Sequence, residues 1–433
     1  MSHSHEHGQT PSGAVRASRL TKAVTAAVLL LVAGATALGL ARLWPDYAEV
    51  ARVAELTPYA TPGTAFVEGE VTKVDPVCPT TEAPGSDPGP GIPRHDSCIH
   101  VRVELRSGPD AGLVVQTQLR GALASSGLRA GDRVEMIGTP IPTDPTASTG
   151  PAGATSTAPG TDAEYQVVRI YDVSGVFRHL PLALLTLLFV VVVIAVGRIR
   201  GLLALVALGI SAAVLLAFVL PALVAGGPGL LIGMVGASTI MFVILYLVHG
   251  PNLRTTAALI GTLGGILIMA GISQVSMQMT RLSGIEDEAS GMLSGLSSTI
   301  DFRGLLSCSI IIAGLGVLND VTITQASSVW ELRAAAPAMS RVEVYRRAMR
   351  IGRDHIASTV YTVFFAYVGA ALSVLILLYL YDRPFLSLLT REDIAIEIVR
   401  TLCGSIGLVL AVPLTTWVAA LFAVPAKSPI LES

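Results

Sequence analysis

The clearest pattern along the chain is a series of long apolar runs separated by short polar segments. A run near 20 residues is long enough for one helix to cross a bilayer. Uninterrupted runs also predict helices rather than the alternating strands of a membrane barrel. The sequence therefore predicts a mainly α-helical integral membrane protein with about eight transmembrane helices, at residues 23–40, 180–196, 202–224, 230–248, 255–276, 304–328, 356–380 and 402–424.

A β-rich segment separates the first apolar run from the second. Short stretches rich in Val, Thr and Tyr, bounded by Gly and Pro turns, predict five strands. Five short strands are typical of a small barrel, and their number suggests an OB-like one. The predicted strands are 65–74, 99–106, 113–119, 132–137 and 165–171, with Pro/Gly/Ser/Thr-rich stretches at 79–96 and 142–162 that are typical of disordered insertions.

Basic residues between the runs predict the orientation of the chain. Arg16, Arg19 and Lys22 precede the first run, and alternation places the Arg-rich segment 333–353 on the same side. Because cytoplasmic loops carry an excess of Lys and Arg, both termini are expected in the cytoplasm and the β-rich segment outside it. The predicted domains are a tail at 1–22, a first helix at 23–43, an extracytoplasmic β-rich domain at 44–176, seven membrane helices at 177–424 and a tail at 425–433.

The basic segment also contains a helix start. Ser340 and Glu343 form an S-x-x-E capping box before a stretch that alternates arginines with apolar residues. This pattern predicts a helix lying on the surface of anionic lipid, with docking of a cytoplasmic partner as the alternative.

Composition narrows the class of protein further. Hydrophobic residues make up 52% of the chain and charged residues 14%, which excludes an ordinary soluble globular protein. No basic face for a nucleic-acid partner is visible. The HExxH, G-x-S-x-G, P-loop and dinucleotide-binding signatures are missing, so neither an enzyme nor a cofactor is expected. The alternating His3, His5 and His7 are better explained as part of a flexible tail than as a metal site.

The four cysteines fall into two groups. Cys308 and Cys403 lie within predicted membrane helices, where a buried free thiol is expected. Cys78 and Cys98 flank the first Pro-rich insertion, in the segment predicted to lie outside the cytoplasm, where a disulfide can persist. They form a candidate disulfide at the base of that insertion.

Polar residues within the run at 304–328 form the candidate site. At 3.6 residues per turn, Asp320, Thr324 and Ser327 share one face, and Asn319 adjoins them. An ionisable group in a membrane helix is costly unless it faces water or a bundle interior, so Asp320 is a candidate proton or cation site with the other three as neutral ligands. The alternative is that these residues join neighbouring helices by hydrogen bonds.

Four stretches resemble the YibE/F-like multi-pass membrane proteins of bacteria. They are HGPNLRTTAALIGTL (249–263), GLGVLNDVTITQASSVWE (314–331), GRDHIASTVYTVFFAYVGAAL (352–372) and GSIGLVLAVPLT (404–415). The acidic position typical of that family is retained at Asp320, whereas residues 360–362 depart from the Asn-Thr pair that is more usual there. The resemblance implies a bacterial plasma-membrane protein that is permease-like.

Two functions follow as hypotheses. The first is a permease or secondary transporter that moves a small solute or ion through the lipid bilayer, with Asp320 as the coupling site. The second is a membrane scaffold without transport activity, in which residues 44–176 bind a partner in the cell envelope and Asp320 only holds helices together.

Overall fold

The computed structural model describes residues 19–56, 63–76, 98–141, 168–296, 299–380 and 384–423. It divides the chain into two compact units. One unit contains Pro58–Val192, and the other contains Met1–Thr57 together with Val193–Ser433. His3, His5, His7, Cys78 and both predicted insertions lie outside the described residues.

The smaller unit is built around a five-stranded antiparallel sheet. Its strands are β1 (Ala65–Asp75), β2 (Cys98–Leu105), β3 (Val114–Arg120), β4 (Arg133–Pro140) and β5 (Arg169–Val176), in the spatial order β3-β2-β1-β4-β5. Alternate side chains such as Val71, Val103 and Met136 are buried on one face, as expected for strands that cover a core. Four strands match the sequence prediction to within a few residues, whereas β5 begins four residues later than predicted.

The two edge strands of this sheet approach each other. The hydroxyl of Thr117 on β3 donates to the carboxylate of Asp172 on β5 at 2.8 Å. Beside them, the Tyr171 hydroxyl donates to Asp110 at 2.6 Å, and the buried ring fills the space left by the missing side chain of Gly138. Burial and the neighbouring carboxylate raise the pKa of Tyr171 to about 12. Cys98, at the start of β2, is disulfide-bonded.

The larger unit is helical, as the apolar runs predict. Residues 179–192, the first part of α3, fall in the smaller unit, and a π-helical turn, Leu215–Val219, joins α3 to α4. The helices are α1 (Arg19–Arg42), α2 (Tyr47–Leu56), α3 (His179–Val214), α4 (Leu220–Val224), α5 (Gly229–His249), α6 (Leu253–Thr280), α7 (Glu288–Leu296), α8 (Phe302–Ala335), α9 (Arg341–Ala370), α10 (Leu372–Leu380), α11 (Phe385–Leu389) and α12 (Glu392–Phe422).

Among the described residues, six or seven helices are long and apolar enough to cross a membrane, where the sequence predicts eight spans. Seven applies if α9 and α10, bent by 65°, form one span. The difference from eight lies in α3, where two predicted runs merge into one helix broken at Arg198 (φ 51°, ψ −135°). A Cβ on Gly201 would stand 2.3 Å from the carbonyl oxygen of Val193, so the chain turns tightly here. The sequence predicts that the chain reverses direction here, so that the two runs cross the membrane separately, and this reversal stays a prediction.

Two helices differ from their predicted boundaries or class. Residues 47–56, assigned from sequence to the β-rich segment, form α2 in the helical unit, where the Tyr47 hydroxyl donates to the Ala217 carbonyl oxygen at 2.5 Å. Residues 341–353 of the basic segment continue without a break into residues 356–370 of the following apolar run, so that both parts form one helix, α9. Its start is as predicted, because the Ser340 hydroxyl accepts the Glu343 amide at 3.2 Å.

The centre of the helical unit is formed by α6, α8 and α12, with α5 and α9 packed around them. Small residues allow α6 and α12 to approach closely. A Cβ on Gly261 would stand 3.1 Å from the Cα of Thr415, so only glycine fits without separating the two backbones. This packing fixes the positions of α8 and α9, which carry the candidate site.

Candidate functional site

Asp320 on α8 faces His355 on α9. Their Oδ2 and Nε2 atoms are 4.0 Å apart, with the Asp320 side chain 73% exposed and the His355 side chain 33% exposed. The His355 Nε2 atom is buried and has no hydrogen-bond partner among the residues that the structure describes. A separation of 4.0 Å is too long for a direct hydrogen bond, so the two side chains are close but not bonded.

The other predicted site residues lie around Asp320 in different environments. Thr324 is exposed on the same face, one turn further along α8. Ser327 is half-buried, and its hydroxyl donates to the Ile323 carbonyl oxygen of its own helix at 2.8 Å. The Asn319 side-chain oxygen is buried without a partner among the described residues. The structure therefore joins Asp320 to His355 and shows no bond from Asn319, Thr324 or Ser327 to Asp320 within the described part of the chain.

A second group of polar side chains on α8 faces the helix core instead. Gln325 is 2% exposed, and its amide donates to the Thr416 hydroxyl on α12 at 2.7 Å and to the Ala348 carbonyl oxygen on α9 at 3.0 Å. Thr322 shares a hydrogen bond of 2.6 Å with Thr262 on α6. These residues join four helices, as the alternative interpretation of the polar run expects, but they lie on a different face from Asp320.

The contact of α9 with its neighbouring helices is loosely packed in one part. We call the contact between α9 and the helices α8 and α12, from His355 to Tyr367, the α9 seam. A cavity of about 150 Å³ lies in it, lined by residues that include Gly314, Val317, Thr362, Tyr367 and Gly404. A second cavity, of about 270 Å³, adjoins it between α9, α10 and α12 and shares Tyr367 as a wall. The seam is therefore incompletely filled from Thr362 to Tyr367.

A charged cluster stands at the far end of the seam. The Arg400 guanidinium, whose side chain is 12% exposed, contacts Glu286 and Glu397 at 2.5 Å each and lies 3.5 Å from the Ser309 hydroxyl. Asp320 comes 11 residues after Ser309 on α8, about 16 Å further along at 1.5 Å per residue. Charged groups thus lie at both ends of the smaller cavity.

Sequence reasoning missed part of this arrangement. It began the last helix at residue 402, whereas α12 begins at Glu392, so Glu397 and Arg400 belong to a membrane helix rather than a loop. The apolar residues Ile394, Ile398 and Leu402, spaced four apart, were the available signal for the earlier start. His355 was recognisable only as a polar residue at a helix end, because its partner is on another helix.

Comparison with known proteins agrees with the membrane part of the structure. Residues 185–425 match the model of one family, described as YibE/F-like protein. The matched region contains α5 to α12 and therefore the whole α9 seam with both of its charged ends. No curated protein and no solved structure matches the chain.

Proposed function

We propose that this chain, which belongs to the YibE/F-like family, is a secondary permease that uses the α9 seam to move a small solute together with a proton or cation. Transport rather than catalysis is the activity, and Asp320 is the coupling site. The protein acts in a bacterial plasma membrane with both termini in the cytoplasm. The Arg400 end of the seam then faces outward, and Asp320 faces the cytoplasmic side.

The opposed pair of Asp320 and His355 is the observation that carries this proposal. A carboxylate within a membrane-spanning helix is costly in contact with lipid, yet the Asp320 side chain is 73% exposed. Water in the seam relieves this cost, because it solvates the charge of the exposed carboxylate. Imidazole and carboxylate groups both exchange protons, so on this proposal the pair accepts a proton at one stage of transport and releases it at another.

The two cavities support a route rather than an isolated pair. The smaller one lies between Asp320 and Arg400, the larger one lies beside Arg400, and Tyr367 lines both. Gly404 leaves the wall opposite α9 open, because no atom of the described residues lies within 4 Å of where its Cβ would stand. On this proposal, a movement of α9 or of the Tyr367 ring connects the two cavities.

The second candidate function is a membrane scaffold whose sheet unit binds an envelope partner. The strand order favours it: β3 and β5 meet at Thr117 and Asp172, so the cyclic order is 1-2-3-5-4, which is that of an OB-like barrel. Barrels of this class bind extended ligands across one face. On this proposal the sheet unit is extracytoplasmic and Asp320 has only a structural role.

Flux measurements separate the two functions. The purified chain in proteoliposomes is tested with a panel of solutes under an imposed pH gradient, with internal pH followed by a trapped dye. Asp320→Asn is expected to abolish gradient-dependent flux, because the neutral amide cannot carry a proton. Glu331→Gln, which changes an exposed acid on the same helix, is the matched control and is expected to retain flux.

Two outcomes would count against the permease. Undiminished flux in Asp320→Asn would remove the site assignment. Absence of flux for every solute in a folded preparation would favour the scaffold, in which case Asp320→Asn lowers the stability of the helix bundle.

A further inference from the structure

The larger cavity of the seam is apolar and has one acidic wall residue. Its volume is about 270 Å³, and Phe364, Tyr367, Leu375 and Ile398 contribute most of its bulk. It exists because α10 bends 65° away from α9 beyond Ala371, so that α10 does not close onto α12. Glu397 stands in the wall with a side chain that is one-third exposed.

The charges beside this cavity do not cancel. Arg400 is the only cation bonded to Glu397 among the described residues, and it is shared with Glu286. Asp287 lies near the same guanidinium: its pKa is lowered first by hydrogen bonds from Ser290 and to a smaller extent by Arg400. Glu286 and Glu397 therefore share one guanidinium, and these three bonded groups carry a net negative charge at the polar end of the cavity.

We propose that this cavity binds an amphiphilic organic cation, with the cationic group against Glu397 and the apolar body between α9, α10 and α12. The surplus negative charge selects a cation over a fatty acid or another anion. Phe364 and Tyr367 in the wall are aromatic side chains, the type with which proteins recognise quaternary ammonium groups by cation–π attraction. This assignment rests on the proposed function, since it names the substrate class of the same seam.

The volume sets the size of the ligand. An apolar cavity of roughly 150 Å³ holds a benzene ring, and drug-sized ligands need about 300 Å³ or more. A cavity of about 270 Å³ therefore suits one ring with a small ammonium group. Benzyltrimethylammonium has this form, and neopentylbenzene is its uncharged carbon isostere.

Equilibrium binding of radiolabelled benzyltrimethylammonium to the full chain in phosphatidylcholine nanodiscs tests the proposal without requiring transport. Saturable binding is expected, and Glu397→Gln is expected to weaken it roughly tenfold, as for loss of a charge contact of about 1.4 kcal/mol. Glu288→Gln, an acid on α7 that does not line the cavity, is the matched control and leaves binding unchanged. Ala371→Leu fills the cavity without changing its charge and also reduces binding.

The remaining results identify what else fills the cavity. The proposal would be overturned if the native chain showed no saturable binding, or if neither Glu397→Gln nor Ala371→Leu weakened binding. It would also be overturned if neopentylbenzene displaced the labelled cation as well as unlabelled benzyltrimethylammonium does. In each case the cavity would be an apolar groove filled by lipid tails. Failure of the permease is separately visible: in that case Asp320→Asn and the native chain both bind the cation, but neither transports a solute.

Discussion

The close approach of two glycines at one end of the helical unit gives a sharp test of the packing. Gly229 begins α5, and Gly304 lies in the first turn of α8. A Cβ on Gly229 would stand 2.3 Å from both the carbonyl carbon and the carbonyl oxygen of Gly304. The obstructing atoms are backbone, so no side-chain rotation relieves the contact.

The magnitude of the Gly229→Ala effect follows from that distance. Ordinary contacts of a Cβ begin near 3.4 Å, so α5 and α8 must separate by about 1 Å or tilt apart. Overpacking of this kind costs typically about 1–3 kcal/mol. Gly316→Ala is the matched control on α8, since nothing lies within 4 Å of its Cβ and alanine favours a helix by up to about 1 kcal/mol.

Unfolding of both variants in the same bicelles, measured by steric trapping, compares their free energies directly. We expect Gly229→Ala to lose stability and Gly316→Ala to keep or gain it. Equal stabilities of Gly229→Ala and the native chain would refute the close α5–α8 contact.

Two further predictions concern buried polar groups. Gln325→Leu removes the amide that donates to Thr416 and Ala348, and it is expected to lower the free energy of unfolding by about 1–3 kcal/mol. Ser328→Ala is the control and is expected to cost less, because the Ser328 hydroxyl donates to the Thr324 carbonyl oxygen of its own helix. Equal losses in the two variants would contradict the network. Because burial raises the pKa of Tyr171 to about 12, above the ordinary value near 10, the stability that it contributes is complete below pH 10 and is lost as pH rises through 12. Tyrosinate absorbance is titrated against pH in the native chain and in Tyr171→Phe, and the difference between the two curves reports Tyr171 alone. The midpoint of that difference is expected near pH 12, and a midpoint near pH 10 would contradict the burial.

The existence of the membrane helices could be predicted from sequence because each depends on a local property. An apolar run of sufficient length forms a helix in a bilayer whatever its neighbours are. The start of α9 was equally local, since the Ser340 cap contacts an amide only three residues away. The strands were predictable from their Val, Thr and Tyr content and from the Gly and Pro turns between them, although β5 was placed early because Tyr165 and the valines after it resemble strand residues.

Contacts between distant residues could not be predicted. Arg400 and Glu286 are 114 positions apart, so their pairing is not visible in the sequence, and the charges near residue 397 were taken as a loop. The face of Asp320 was predictable from helical periodicity, but its partner His355 was not. Periodicity also grouped Ser327 with Asp320, whereas the Ser327 hydroxyl is satisfied by its own helix.

The central claim is that the α9 seam carries water and ions, and thiol accessibility tests it most directly. Thr362 and Phe365 are both exposed on α9, but Thr362 lines the smaller cavity, whereas Phe365 lines neither cavity. In membranes treated with a hydrophilic methanethiosulfonate reagent, which requires an ionised thiol in contact with water, Thr362→Cys should react and the lipid-facing Phe365→Cys should not. The buried Cys308 and Cys403 give the background. An unreactive Thr362→Cys in a folded chain would show that the seam is dry and would contradict the permease.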